Sequence, residues 1–271
     1  MSGNSSISGL LSSELGKRVI SAVFMLIVIL WVTWIGGWPF TILSLLLSGL
    51  LYYEWQSMVR QTPFDGIEAV LTAGFVGLLI FNLLGYLAIG LVAFVVLGLM
   101  LELTTSGAER SDVRWIGLGA LCCAIPAVAF PIIRENGGLG LIMFLFLTVW
   151  ITDCAAYFVG RQFGGAKLMP AVSPKKTWSG AIGGLVFSVI FAAVLIATNP
   201  QLPAFAVIFG AAILSVVSQA GDLFESWVKR LFGVKDSSQL IPGHGGFLDR
   251  LDGLVAAAVP VAVIVALGAG I

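Results

Sequence analysis

Residues Phe205–Val228 read FAVIFGAAILSVVSQAGDLFESWV, and from Ser226 to Asp252 the chain continues as SWVKRLFGVKDSSQLIPGHGGFLDRLD. The first stretch is an apolar run of 24 residues. A helix crossing the hydrocarbon layer of a bilayer needs about 17–25 such residues. The second stretch is its opposite in character. Its 27 residues hold four of the fourteen basic residues, three of the fourteen acidic ones and the only histidine, His244. Where charge is scarce, the place that concentrates it is the default site of function.

Charge is scarce throughout. Of the 271 residues, 59% are hydrophobic and 10% charged, and the mean hydropathy is +1.05. A soluble domain carries roughly 25% charged residues, so this chain lacks the polar groups to cover a soluble surface. Apolar runs recur at Val19–Gly36, Pro39–Tyr53, Ile67–Leu84, Gly85–Leu103, Trp115–Ile133, Leu139–Gly160, Ala181–Ala197, Phe205–Val228 and Leu254–Ile271. They are continuous, whereas barrel strands alternate over about ten residues. The expected fold is all-α, a polytopic integral membrane protein with about nine transmembrane helices.

The basic residues orient these spans. With nine crossings, Lys17, Arg18, Arg60, Arg110, Arg114, Arg161, Lys167, Lys175, Lys176, Lys229, Arg230, Lys235 and Arg250 share the side of the N-terminus, and only Arg134 lies opposite. Cytoplasmic loops carry the excess of Lys and Arg, so the N-terminus and the charged loops are expected in the cytoplasm. Lys17–Arg18 ahead of an apolar run of about 18 residues reads as a signal-anchor, because a cleavable signal has a shorter core. The formal net charge is zero, which leaves no bulk field to recruit nucleic acid. Cys122, Cys123 and Cys154 lie in apolar runs without flanking ligands and read as packed thiols.

Three regions follow: a short polar segment over 1–18, a transmembrane region over 19–138, and a region over 139–271 that carries the loops 161–180 and 229–253. Both loops are rich in Gly, Pro, Ser and basic residues, as expected of irregular backbone placed to bind something. The spans beside them also contain carboxylates. Asp153 lies near the end of the sixth run, and Ser218, Asp222, Glu225, Ser226 and Lys229 share one helical face in and beyond the eighth. An unpaired carboxylate in a span is costly. It is held by an ion pair, such as Glu225 with Lys229 or Arg230, or it serves a metal.

Hard divalent cations take carboxylate oxygens, and magnesium commonly uses one or two of them together with substrate phosphates. Asp222 and Asp249 are the natural pair. Glu225 and Asp252 are further candidates, Asp252 being equally suited to stabilising the start of the last helix. Pro242-Gly243-His244-Gly245-Gly246 is a turn whose amides suit a phosphate, although such runs are commonly only turns. Ser173-Pro174-Lys175-Lys176-Thr177, with Arg161 and Lys167 upstream, reads either as a polyphosphate clamp or as a basic anchor on anionic head groups. No P-loop, dinucleotide fingerprint or nucleophile elbow is present. Carboxylates, a phosphate site and the membrane face together suggest an enzyme joining a nucleotide or phosphate to a lipid.

Longer patterns sharpen this reading. Ser226-x-Val228-Lys229-Arg230, then Lys235-Asp236-x-Ser238, then His244-Gly245-Gly246-Phe247-x-Asp249-Arg250-Leu251-Asp252 closely resembles the signature of the phosphatidate cytidylyltransferases, the CDP-diacylglycerol synthases. Gly221-Asp222-Leu223-x-Glu225-Ser226, Asp153-x-x-Ala156-Tyr157-x-x-Gly160-Arg161 and Ser173-Pro174-Lys175-Lys176-Thr177 look like the same family's preceding motifs. Ser179 stands where many relatives place Glu or Gln.

The resemblance implies transfer of the cytidylyl group of CTP to phosphatidic acid, giving CDP-diacylglycerol and pyrophosphate. It implies Asp222 and Asp249 as magnesium ligands and allows a second cation, potassium or another magnesium. Lys167, Lys175, Lys176, Lys229 and Arg230 would hold the triphosphate and the lipid phosphate. Asp153, Arg161, Ser173, Thr177, Ser226, Lys235, Asp236, His244, Gly245, Gly246 and Arg250 complete the substrate-binding set. A homodimer in the bacterial cytoplasmic (inner) membrane, with its active site on the cytoplasmic side, is expected. Two alternatives stand beside this reading: a CTP-dependent enzyme acting on another lipid phosphate, and a cation-coupled transporter using Asp153, Asp222 and Glu225. Against the transporter, the charges cluster at one face and no inverted repeat is visible.

Overall fold

The computed structural model describes residues 14–60, 66–240 and 245–269. Among them the chain forms nine helices and one short hairpin: α1 (Glu14–Ile35), α2 (Gly37–Val59), α3 (Gly66–Leu83), α4 (Leu87–Thr104), α5 (Gly107–Asn136), α6 (Gly138–Phe163), β1 (Lys167–Met169), β2 (Ser173–Thr177), α7 (Trp178–Thr198), α8 (Ala204–Leu231) and α9 (Leu248–Ala269). By length and composition, seven helices among the described residues are apolar enough to cross a membrane, namely α3 to α9. In α1 the described apolar stretch is Met25–Ile35. In α2, Tyr52, Tyr53, Glu54 and Gln56 dilute the apolar run. The chain is thus an all-α membrane protein apart from the hairpin, which forms inside a segment expected to be irregular. Arg161 likewise lies on α6 and not in a loop.

The chain divides into two compact units, one comprising Met1–Ala127 with Asp236–Leu248, the other Val128–Lys235 with Asp249–Ile271. In the first, Trp55 is buried and donates its indole N–H to the carbonyl of Trp115 at 2.7 Å. Only glycine fits at 119, where a Cβ would fall 2.0 Å from that indole ring. Tyr52 stacks on Phe75 with centroids 4.1 Å apart. Pro126 lies within α5 and has no N–H to donate to the preceding turn. The next amide, Ala127 N–H, donates to Ser48 Oγ at 2.9 Å. A side chain on a neighbouring helix thus satisfies backbone near a proline within an apolar span, where water is absent.

The second unit is held by close helix crossings. A Cβ on Gly180 would lie 2.6 Å from the carbonyl oxygen of Ala156 and 3.2 Å from Gly160 Cα, and one on Gly184 would lie 2.9 Å from the carbonyl oxygen of Thr152. Small residues at spacings of four therefore let α6 and α7 approach backbone to backbone, as small-xxx-small faces do in membranes. The same device joins α8 to α9. A Cβ on Gly221 would meet Ala256 Cβ at 2.4 Å and the carbonyl of Asp252 at 2.9 Å, and one on Gly253 the carbonyl of Ser218 at 2.9 Å. Cys123 is buried and Cys122 half-buried, as apolar packing predicts, but Cys154 is exposed on its helix.

Candidate functional site

Gly164 and Gly165, with φ of 60° and 96°, take the left-handed conformation that ends α6 and turns the chain into the hairpin. The strands pair antiparallel, Lys167 opposite Thr177 and Met169 opposite Ser173. The hairpin delivers the chain into α7, whose N-cap is Thr177: its Oγ1 accepts from the Gly180 N–H at 3.1 Å. Ser179, which departs from the resembled motif, hydrogen-bonds Thr177 Oγ1 and donates to the Gly164 carbonyl. In this chain, position 179 ties the two ends of the hairpin segment together without a carboxylate.

Beside the hairpin lies a cavity of about 710 Å³, lined by Asp153, Tyr157, Arg161, Lys167, Lys175, Lys176, Thr177, Gln219 and Asp222 among others. That volume is in the range of sites for small organic ligands, about 300–1,000 Å³. Seven of these lining residues are among those expected from the sequence. Lys176 Nζ stands 2.5 Å from Asp222 Oδ2, and Asp153 lies close enough to feel the charges of both. Ser226 Oγ donates to Asp222 Oδ1 at 3.4 Å. Arg161 donates to the Tyr157 hydroxyl at 3.1 Å, while Lys167 and Lys175 are exposed. The wall thus offers ammonium and guanidinium groups over carboxylates, the complement of a polyphosphate together with its counter-cation.

A second cluster forms where α8 and α9 cross. Lys229 Nζ lies 2.8 Å from Glu225 Oε2 and 2.7 Å from Asp249 Oδ1, so Glu225 does form the ion pair that its helical spacing allows. Asp252 interacts electrostatically with Asp222 and Glu225, and its Oδ1 accepts from the Gly253 N–H at 2.6 Å. The buried Oε1 of Glu225 has no hydrogen-bond partner. Hard oxygen donors of the kind magnesium takes are present on both helices. In this structure Asp222 and Asp249 are each paired with a lysine, and among the described residues no group of three or more His, Cys, Asp or Glu is arranged around a metal position.

Other expected residues have different surroundings. Arg230 donates to the carbonyls of Val172 at 3.3 Å and Val234 at 3.1 Å, so its guanidinium pins the hairpin turn to the end of α8. Ser173 opens β2, half-buried, and Lys235, Asp236 and Arg250 are exposed and do not line the cavity. His244 lies outside the described residues, as do Pro242 and Gly243. Gly245 has φ of 80°. At Gly246 a Cβ would strike Ser237 Oγ at 2.0 Å and the carboxylate of Glu54 at 2.7 Å, which is a packing reason for glycine there.

That carboxylate was missed in the sequence. Glu54 is fully buried in α2. Its Oε1 accepts from Ser238 Oγ at 2.5 Å and from the Phe247 N–H at 2.9 Å. Its Oε2 accepts from Ser237 Oγ at 3.3 Å and from the Leu248 N–H at 2.7 Å. The available signal was a lone acid at the end of an apolar run, one residue beyond Tyr53.

Comparison with known proteins yields consistent matches. A model described as the cytidylyltransferase family matches residues 16–267. A phosphatidate cytidylyltransferase of Brucella suis biovar 1 is 43% identical over 251 residues, covering 91% of each chain. One of Staphylococcus saprophyticus is 34% identical over 244 residues, covering 87% of this chain and 93% of its own. One of Bacillus subtilis is 32% identical over 257 residues, covering 88% and 93%.

Proposed function

The chain belongs to the cytidylyltransferase family, and on that premise we propose that it transfers the cytidylyl group of CTP to phosphatidic acid. A phosphate oxygen of the lipid forms a bond to the α-phosphorus of CTP. The bond from that phosphorus to the β-phosphate oxygen breaks, and pyrophosphate leaves with the electron pair. The attacking oxygen is already anionic at neutral pH, so the chemistry needs positioning and charge neutralisation more than a strong base.

The observation that carries this reading is the cavity wall on which Arg161, Lys167, Lys175 and Lys176 face Asp153 and Asp222. The cations would bind the triphosphate and the lipid phosphate and hold the reacting atoms in line. Lys229 bridges Glu225 and Asp249, and Arg230 steadies the hairpin from which Lys175 and Lys176 project. Asp222 and Asp249 would hold magnesium, with Glu225, Asp252 and a second cation as the remaining members. When bound, the metal supplies charge stabilisation at the phosphate oxygens.

The working arrangement is nine spans in a bacterial inner membrane, with α1 and α2 completing the seven longer apolar helices, the site on the cytoplasmic side, and two copies forming a dimer. The lipid's tails would stay in the bilayer while its phosphate reaches the cavity. Radiolabelled CTP supplied to purified protein with a panel of lipid phosphates tests the reaction. Label entering CDP-diacylglycerol, with pyrophosphate released, is the expected result. Failure to consume CTP with any of the lipids would overturn it.

A further inference from the structure

We infer that Glu54 is a positioning residue for the reaction, a buried carboxylate in α2 that fixes the start of α9 and with it the metal-binding acid at Asp249. The inference rests on the cytidylyltransferase reading for what is positioned; the contacts themselves are geometric.

Four donors converge on Glu54, and their division is informative. Each carboxylate oxygen takes one backbone N–H and one serine hydroxyl: Phe247 and Ser238 on Oε1, Leu248 and Ser237 on Oε2. The Phe247 amide immediately precedes α9 and the Leu248 amide opens it, at a helix start where N–H groups lack intrahelical partners and a negative charge is favoured. Asp249 is the next residue and Asp252 lies one turn on. The serines stand earlier in the same signature segment. One side chain therefore ties residues 237–238 to residues 247–248 and sets where α9 begins. A carboxylate is required because all four contacts approach it as donors and it is acceptor-only. An amide in its place would turn its NH₂ toward a backbone N–H whichever way it flipped. Gly246 belongs to the same arrangement, since a side chain there would displace Glu54.

A substitution that merely weakened packing would lower stability without a selective effect on catalysis. A lost anchor acts differently. Nucleotide would still bind through the hairpin lysines Lys175 and Lys176, but Asp249 would be held less well, and a displacement of about 1 Å can cost about 100-fold in rate. Glu54→Gln is accordingly expected to lower kcat by about 100-fold with KM for CTP changed less than about threefold. Glu54→Asp keeps the acceptors and should restore part of that loss.

The experiment compares wild type, Glu54→Gln, Glu54→Asp and the double variant Ser237→Ala with Ser238→Ala as full-length purified proteins. Steady-state kinetics is read alongside amide hydrogen exchange. Exchange at 245–252 should accelerate about tenfold or more in Glu54→Gln, while α7 stays at the wild-type rate. The double variant keeps both backbone contacts and should lie between wild type and Glu54→Gln in both measurements. Glu54→Gln with turnover within about threefold of wild type, or with exchange raised uniformly across the chain, would overturn the inference. Wild-type protein inactive on CTP and phosphatidic acid would sink the reading of the reaction instead, while the exchange comparison would still decide whether Glu54 anchors the loop.

Discussion

Lys176 Nζ lies 2.5 Å from Asp222 Oδ2. The pair joins the last part of the hairpin to α8 and sits on the wall of the cavity. Their side chains are 27% and 35% exposed, and pairs so accessible to solvent contribute only about 0–1 kcal/mol. Such a contact is a poor reason to keep an acid in an apolar helix, which points to a role for Asp222 beyond stability.

Asp222→Asn should therefore leave thermal stability within about 1 kcal/mol of wild type while nearly abolishing turnover, because a neutral amide is a weak magnesium ligand. Thermal unfolding and a CTP assay on the same preparation test this. A folded variant with near-normal, magnesium-dependent turnover would remove Asp222 from the site.

Lys229 has the opposite balance. It is 10% exposed between Glu225 at 4% and Asp249 at 11%. Lys229→Met would leave two buried carboxylates without their cation, a loss typically worth about 3–5 kcal/mol. Adding Glu225→Gln to that variant should recover part of the loss by removing one of the two stranded charges. Unfolding midpoints of the single and double variants measure the effect, and equal midpoints for all of them would show that the cluster is solvated.

Lys175 is exposed on the hairpin and has no structural duty comparable to that of Arg230. Lys175→Ala should raise KM for CTP or for phosphatidic acid, with kcat little changed if the contact is made equally in ground and transition states. The variant should unfold at the wild-type temperature. Kinetics unchanged in both substrates would reduce this lysine to a basic anchor on the membrane surface.

The crossing of α6 and α7 offers a test of packing. Gly180→Ala drives a methyl into the carbonyl of Ala156, 2.6 Å away, and backbone cannot step aside as a side chain can. Overpacking of this kind costs about 1–3 kcal/mol and should also disturb the cavity, since Gly180 lines it. Gly140→Ala is the control, because a Cβ there meets nothing within 4 Å. Thermal unfolding should separate the two variants clearly.

Topology can be tested by labelling. Cysteines introduced at Ser12 and Ala269 in a background free of Cys122, Cys123 and Cys154 should react from opposite faces of the membrane if there are nine crossings. Reaction from one face would show an even number.

By itself the sequence determined the membrane class, the location of the helices and the family. Apolarity is a sum over a local window, so Gly66–Leu83 or Ala204–Leu231 reads as a span without reference to any partner. The spacing of the charged motifs is likewise a property of the chain alone, and it brought Asp153, Arg161, Lys176 and Asp222 to notice before the cavity they share. Only the tertiary structure decided which cation meets which carboxylate. That choice depends on how closely helices cross at Gly160 and Gly180 or at Gly221 and Gly253, a nonlocal outcome that no periodicity encodes. Glu54 shows the limit most plainly. It reads as the polar end of an apolar run, yet its hydrogen-bond partners stand 183 to 194 residues away. A buried carboxylate must find donors wherever the fold supplies them, and here they come from backbone amides and serine hydroxyls, which carry no charge for a sequence pattern to reveal.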